Sequence, residues 1–281
     1  MSKSLFALFL VPFFFVACSP NNVTIDSSLQ RYFDSAGVKG SFGFFDNGQG
    51  RFTICNLPRY RDSAYQPAST FDIVQSLVAL QTGALADTSA RIPGSIWAMM
   101  NNADTNKLPS PILTLQGAFQ NVDNAGIIGF RAISGLLGKD SLKKWIDTLH
   151  YGNRDMGGPT GPIDSFWLNN HLKITSDEQL GLIKRLYFDQ LPFFNRPQKL
   201  VRGMMPIESN SVYRLAYKTG QGIKEDGHAI GWVLGWVEEN KHPYFFVVNL
   251  ESEDTKKDLS AIGLHIVKSI LKPMGFFDGK K

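Results

Sequence analysis

The stretch from Tyr65 to Asp72 carries the residues best suited to chemistry. Pro67 ends an extended segment, and Ser69 or Thr70 can cap the helix that the apolar run Ile73–Leu80 predicts. At a helix start, backbone N–H groups lack intrahelical partners and the positive end of the helix dipole points outward. Ser69 at such a place suits a nucleophile whose reaction develops an oxyanion. The alternative is a serine that only caps the helix.

Two later segments strengthen the interpretation of Ser69 as a nucleophile. Tyr151-Gly152-Asn153 lies in a glycine-rich loop after a predicted helix, and Lys218-Thr219-Gly220 ends the strand-like run Val212–Tyr217. A serine before a helix, a polar loop and then a Lys-Thr-Gly triplet is the order used by penicillin-recognising serine enzymes.

Five segments together resemble one family. They are Pro67–Phe71 (PASTF), Tyr151–Asn153 (YGN), Phe166–Leu168 (FWL), Lys218–Gly220 (KTG) and Gly231–Glu238 (GWVLGWVE). In order and spacing they resemble the class D (oxacillinase-type) β-lactamases, from roughly residue 40 to the C-terminus. The resemblance implies an α/β (α+β) fold of the β-lactamase/transpeptidase type. We expect an antiparallel sheet flanked by terminal helices, plus a helical lobe.

The resemblance also implies roles for individual residues. Ser69 would be the nucleophile, its backbone N–H and that of Gln221 would form the oxyanion hole, and Lys218 would hold a substrate carboxylate or favour proton loss nearby. Gly220 would let a substrate lie against the strand edge. The remaining residues expected at the substrate are Tyr151, Asn153, Trp167 and Thr219.

Three departures from the family pattern fall on the chemistry. The lysine of Ser-x-x-Lys, which is carboxylated in the family and acts as the general base, is replaced by Asp72. Its carboxylate shares a helix face with Ser69 but has a shorter arm. Val122, or Ala125 in a gapped alignment, stands where a second serine is expected, and the carboxylate-binding arginine has no clear equivalent near Gly263. Trp167, a partner of that lysine in the family, is expected to pack or to donate its N–H to Asp72 or water.

The first 17 residues have the pattern of a secretory signal peptide. Lys3 precedes the apolar run Leu5–Ala17, which is too short to favour a spanning helix. Because Cys18 follows Ala17 in a lipobox-like sequence, we expect a lipoprotein, exported to the periplasm of a bacterium and anchored in the membrane. The alternative is an ordinary cleaved signal. Residues 18–39 would form a linker and a helix, and 40–281 the β-lactamase-like domain, with a helical lobe over about 84–200.

Composition narrows the expected partners. The net charge of +4 is small and the basic residues are scattered, so nucleic acid is not indicated. With Cys18 lipidated, Cys55 is left as a buried strand residue. No metal or organic cofactor is indicated. We expect a β-lactam or a peptidoglycan-stem-like small molecule as the ligand.

Periodicity predicts the surrounding elements. A helical stripe begins at Ile25 and stops at Gly37, and a hairpin follows over residues 40–56. Asp140 is expected to cap one helix, and Ser176–Gln179 to form the capping box of another. Three neighbouring strands over residues 212–219, 228–238 and 244–251 precede a closing helix that ends near Pro273.

Three functions fit this sequence. The first is a β-lactamase-like serine hydrolase with weak or altered turnover, in which Ser69 attacks and Asp72 or Lys218 relays protons. The second is a catalytically impaired penicillin- or peptidoglycan-binding envelope lipoprotein. The third is a structural or partner-binding lipoprotein in which Ser69 only caps a helix.

Overall fold

A computed structural model describes residues 22–93, 114–121, 124–205, 207–279 and 281. Its main feature is a seven-stranded sheet in the order β1-β3-β2-β9-β8-β7-β6. The strands are Val23–Ile25 (β1), Lys39–Asp46 (β2), Arg51–Cys55 (β3), Ile207–Ser209 (β6), Tyr213–Ile223 (β7), Ala229–Glu239 (β8) and His242–Ser252 (β9). Only β1 and β3 pair in parallel among these neighbours. A separate two-stranded pair joins Ala64–Tyr65 (β4) to Ile174–Thr175 (β5).

The long strands β8 and β9 lie next to each other because a tight turn joins them. Asn240 and Lys241 connect β8 to β9, and both have positive φ values, 48° and 66°. Two consecutive residues with positive φ form the hairpin turn whose twist matches that of the flanking strands. The antiparallel pairing of β8 with β9 confirms the predicted neighbouring strands, and that of β2 with β3 confirms the hairpin predicted over residues 40–56.

Alternate residues of the sheet enter two separate cores. Leu215, Val233 and Phe246 face the terminal helices, whereas Ala216 and Leu234 face the helical lobe. The terminal helices are Gln30–Ser35 (α1) and Leu259–Leu271 (α9). The helices on the other side are Leu57–Asp62 (α2), Asp72–Thr82 (α3), Leu115–Gln120 (α4), Asn124–Leu137 (α5), Lys139–Leu149 (α6), Ser176–Tyr187 (α7) and Asn195–Met204 (α8). This arrangement confirms the predicted fold class.

Several local predictions were wrong. Ile25 ends strand β1 instead of opening a helix, because the short β1 segment pairs with β3. Gly138, not Asp140, occupies the N-cap of α6. The capping box of α7 consists of Thr175 and Glu178, one residue earlier than predicted.

Other predictions were correct or lie outside the described residues. Cys55 is buried in β3, as predicted, and Gly83 occupies the C-cap of α3 with φ 73°. Val122 and the lipidation candidate Cys18 fall outside the described ranges. In the part of the chain that the structure describes, no helix combines the length and the apolar character needed to cross a bilayer.

Candidate active site

The predicted nucleophile lies on a 3₁₀ turn, Ala68–Phe71, directly before α3. The prediction that Ser69 or Thr70 caps the helix was wrong: Phe71 occupies the N-cap, and its side chain makes no cap hydrogen bond. The Thr70 hydroxyl donates instead to the carbonyl of Pro67, at 2.6 Å. The inserted turn moves both hydroxyls away from the first helical amides. Ser69 is therefore not held at this position by a capping role.

Asp72 and Lys218 form an ion pair beside this turn. Their Oδ2 and Nζ atoms are 2.8 Å apart, and the two side chains are 3% and 1% exposed. Lys218 also donates to the carbonyl of Phe119 at 2.6 Å, and Nζ lies 4.4 Å from the centre of that ring. Lys218 was predicted at a strand end, but β7 continues five residues further, to Ile223. The structure therefore encloses its ammonium between the sheet and the helical lobe.

Burial controls the charge of this pair. Burial raises the pKa of Asp72 to about 6, and the attraction and hydrogen bond of Lys218 offset only part of that effect. At neutral pH most Asp72 carboxyls are ionised and can accept a proton. The Lys218 ammonium has no lone pair with which to accept one. In the described residues, the Ser69 hydroxyl makes no hydrogen bond to either group.

Gly220 brings strand β7 against the nucleophile turn. A Cβ atom built on Gly220 would lie 3.0 Å from the backbone nitrogen atoms of both Ser69 and Thr70. Any larger residue would push the strand away from the turn, which explains the glycine at this position. Gly220 thus sets the approach of the two backbones that the family resemblance assigns to the oxyanion hole.

The neighbours of Gly220 on β7 have different surroundings. The Gln221 side chain accepts from the amide of Leu259 at 2.9 Å and donates to the carbonyl of Lys257 at 3.2 Å. It therefore binds the start of α9, and only its backbone N–H remains a candidate oxyanion donor. Thr219 is half-buried on the same strand.

Tyr151 and Trp167 contact the nucleophile turn, whereas Asn153 holds a loop. Tyr151 is 2% exposed, and its ring lies edge-to-face with Phe71 at 5.3 Å. Trp167 packs on Phe71 at 6.0 Å, and its carbonyl accepts from the amide of Ala68 at 3.2 Å. Of the alternatives predicted for Trp167, the structure shows packing.

The Asn153 side chain joins two parts of its loop. Nδ2 donates to the carbonyl of His171 at 2.8 Å, and Oδ1 accepts from the amide of Lys173 at 3.0 Å. These contacts order the loop. A contact between Asn153 and substrate remains a prediction.

Sequence reasoning did not identify three polar residues that hold the turn. Gln179 of α7 donates to the Thr70 hydroxyl at 2.8 Å. The indole N–H of Trp232 donates to the carbonyl of Gln66 at 2.9 Å, and the Gln66 side chain donates to the carbonyl of Ile223. The sequence did offer a signal for Gln179. It lies among apolar residues on the buried face of its helix, and a buried side-chain amide needs a polar partner.

Two further features bear on cofactor and substrate binding. Asp226, His228 and Glu251 have ligand atoms within 4.8 Å of one another. Lys224 Nζ already lies 2.9 Å from Asp226 and 2.8 Å from Glu251, so an ammonium occupies the place of a cation. Gly263 is the expected place of the family arginine. It packs tightly against Val233, because a Cβ atom built on Gly263 would lie 2.6 Å from the Val233 side chain.

The sheet, the Ser69 turn and the Lys-Thr-Gly strand define a protein of the penicillin-recognising serine class. The family described as the penicillin binding protein transpeptidase domain matches residues 45–273. The β-lactamase OXA-20 of Pseudomonas aeruginosa is 30% identical over 251 residues, covering 87% of this chain and 87% of that protein. The chain therefore belongs to the transpeptidase-domain family and, within it, to the class D β-lactamases.

Solved structures agree with this assignment. The class D β-lactamase YbXI from Nostoc is 30% identical with a TM-score of 0.76, covering 89% of this chain and 99% of that one. The C-terminal domain of the BlaR penicillin receptor of Bacillus licheniformis has a TM-score of 0.77 at 24% identity, covering 92% and 99%. This second likeness concerns the fold alone.

Proposed function

We propose that this protein binds penicillin-type β-lactams and is acylated by them at Ser69, with weak or altered hydrolysis. The observation that carries the proposal is the buried Asp72–Lys218 pair, 2.8 Å apart and one helical turn from Ser69. It places a negative charge where the resemblance expects a carboxylated lysine. It also keeps the lysine of the Lys-Thr-Gly triplet beside that charge.

Acylation requires a base and a site for the developing negative charge. Ser69 Oγ attacks the lactam carbonyl carbon, and the oxyanion is stabilised by the N–H groups of Ser69 and Gln221. The Ser69 proton passes to Asp72 through one water molecule, since the short carboxylate arm needs a bridge. The proton is then delivered to the lactam nitrogen as the C–N bond breaks.

Hydrolysis of the acyl-enzyme is the weaker step of this mechanism. It needs a base that contacts the attacking water next to the ester directly, and the Asp72 arm is shorter than that of the family's carboxylated lysine. A general base that is displaced or occupied loses about 10²–10⁴-fold in rate. We therefore expect the acyl-enzyme to accumulate.

The second candidate function is that of a non-hydrolysing penicillin- or peptidoglycan-stem-binding protein. The observation that favours it is the burial of Ser69, which is 5% exposed, together with the tight pairing of Asp72 with Lys218. A substrate must displace neighbouring groups before the hydroxyl can react. The third function, in which Ser69 is only a helix cap, lacks the capping contact on which it depended.

Export and lipid attachment at Cys18 are part of this proposal. They rest on the sequence pattern of residues 1–18. Metabolic labelling with palmitate in a bacterial host should mark the wild-type protein and leave the Cys18→Ser variant unlabelled. An unlabelled wild type would contradict the anchor and leave the ordinary cleaved signal as the explanation.

Intact-protein mass spectrometry after incubation with a penicillin distinguishes the functions. A chromogenic cephalosporin assay should run beside it. We expect a one-to-one adduct that is absent in Ser69→Ala, with little turnover. Rapid turnover would indicate an efficient hydrolase. The absence of both an adduct and turnover would contradict both β-lactam functions. An adduct that survives Ser69→Ala would place the nucleophile elsewhere.

Restoring the family lysine tests the role of position 72. Asp72→Lys should raise hydrolysis by about 10²-fold or more when bicarbonate is added, because a carboxylated lysine regains the longer arm. Without bicarbonate, two ammonium groups face each other and no gain is expected. If bicarbonate brings no gain, the residue at position 72 does not limit turnover by itself.

A further inference from the structure

The turn that carries Ser69 has an unusual backbone. Ala68 has φ 48°, in the left-handed region that residues other than glycine rarely adopt. Such a conformation persists only when the surroundings impose it. The amide of Ala68 donates to the carbonyl of Trp167, and the hydroxyl and amide of Thr70 both donate to the carbonyl of Pro67. Thr70 therefore closes the turn around Ser69.

A residue far away in sequence holds Thr70 in that position. Gln179 on α7 donates from Nε2 to the Thr70 hydroxyl at 2.8 Å, and Gln179 is completely buried. The Thr70 hydroxyl accepts this bond while it donates its own hydrogen to Pro67. Gln179 thus fixes the direction of the hydroxyl that closes the turn.

Tyr151 belongs to the same polar cluster. The Tyr151 hydroxyl and Gln179 Oε1 are both buried and have no hydrogen-bond partner within the described residues. Burial raises the pKa of the Tyr151 hydroxyl, while Thr70 and Gln179 act in the opposite direction. The phenol therefore keeps its proton, and Gln179 Oε1 is an unpaired acceptor in the same cluster.

We propose that Gln179, with Thr70 and Tyr151, positions the Ser69 nucleophile by locking the strained turn at Ala68. Gln179 acts through Thr70 and contacts no substrate, and Tyr151 supports the same turn through the packing of its ring on Phe71. This inference rests on the proposed acylation at Ser69. A displacement of about 1 Å at a reacting atom can cost about 10²-fold in rate, which is the scale of effect we expect.

Gln198 offers a matched control. It is also completely buried, and it binds the carbonyls of Leu191 and Phe193 at 3.2 and 2.8 Å. Gln179→Met and Gln198→Met both remove a buried amide with side-chain hydrogen bonds, but only Gln179 touches the nucleophile turn. Thr70→Val removes the bridging hydroxyl at nearly constant volume, and Thr70→Ser keeps it.

The test combines two measurements on the full-length protein. Hydrogen exchange followed by mass spectrometry reports the amides of residues 68–71, and the rate of adduct formation with a fluorescent penicillin reports acylation. For Gln179→Met and Thr70→Val we expect at least about tenfold faster exchange. Their maximal acylation rate should fall about 10–100-fold, with the half-saturating concentration nearly unchanged. Thr70→Ser keeps the bridging hydroxyl and Tyr151→Phe keeps the packed ring, so both should retain most of the rate, and Gln198→Met should change neither measurement.

The outcomes separate this proposal from the proposed function. Unchanged exchange in residues 68–71 of Gln179→Met, or an equal change in Gln198→Met, would overturn the positioning role. If the wild type forms no adduct, the acylation proposal fails, while the exchange comparison still decides whether Gln179 locks the turn. If Gln179→Met does not fold, the comparison of Thr70→Val with Thr70→Ser decides whether the Thr70 hydroxyl locks the turn.

Discussion

Two buried carboxylates in this protein have opposite electrostatic behaviour. Asp72 is paired with Lys218, yet its pKa is raised to about 6. Glu251 is also buried, yet its pKa is lowered to about 2. Burial favours the neutral form at both positions, but it is deeper at Asp72, and Glu251 has more partners, so the difference comes from both causes.

Glu251 has several donors, whereas Asp72 depends mainly on one. Lys224 Nζ and His228 Nδ1 lie 2.8 and 2.9 Å from one Glu251 oxygen, and Arg59 Nη1 lies 2.8 Å from the other. Their combined effect outweighs the cost of burial, so Glu251 stays ionised down to about pH 2 and connects α2 to the sheet. Asp72 instead titrates near neutral pH, as a group that exchanges protons must.

The largest effect is expected for Lys218→Met. Without the ammonium, the Asp72 carboxylate is buried and uncompensated, and breaking such a pair costs about 3–5 kcal/mol. The free energy of unfolding, measured by urea denaturation at pH 8, should fall by that amount. At pH 5 the loss should be smaller, because Asp72 is then protonated and needs no partner.

A double variant sharpens this result. Replacing the whole pair by Asp72→Leu and Lys218→Met should restore most of the lost stability, since a well-packed apolar pair is often as stable as a buried ion pair. Equal losses in the single and double variants would mean that Lys218 stabilises the fold through Phe119 and not through Asp72.

A smaller loss is expected for Glu251→Gln. Three donors lose a charged acceptor but keep a neutral one, and they are partly hydrated, so we expect a loss of about 1–2 kcal/mol at pH 7. Because the folded pKa lies below the ordinary value of 4.5, this stabilisation is complete above about pH 4.5 and is lost as pH falls through about 2. The denaturation curves of the wild type and of Glu251→Gln should therefore differ by a constant amount above about pH 4.5 and approach each other as pH falls from there towards 2.

Glu253→Gln is the matched control for that variant. Glu253 is exposed and lies two residues further along the chain. Its substitution should change the free energy of unfolding by less than about 0.5 kcal/mol. A loss equal to that of Glu251→Gln would show that the cluster around Glu251 contributes nothing specific.

The sequence predicted the parts of the site that depend on local patterns. Alternating apolar residues predicted β7, β8 and β9, and the Lys-Thr-Gly triplet pointed to the strand beside Ser69. The triplet also misplaced Lys218, because its glycine was taken as the strand end. Gly220 lies within β7, which pairs with β8 as far as Ile223, and the glycine is explained by the close approach of the nucleophile turn.

Contacts between distant residues could not be predicted from the sequence. Gln179 and Thr70 are 109 residues apart, and the Glu251 cluster joins residues up to 192 positions apart. Periodicity reports which face of a helix is buried, but not which polar group meets it there. The 3₁₀ turn at Ala68 was also missed, since its positive φ is imposed by tertiary contacts on a residue that does not favour it.

The pH dependence of acylation is the smallest expected effect and compares the two carboxylates directly. If the Asp72 carboxylate accepts the Ser69 proton, the rate of adduct formation should rise as pH rises through about 6, by about tenfold between pH 5 and pH 7. Glu251 stays charged over that interval, so Glu251→Gln should leave the midpoint unchanged. Asp72→Asn removes the titrating group and should flatten the profile. A midpoint near 6 that persists in Asp72→Asn would assign the proton transfer to another group and remove the functional distinction between the two carboxylates.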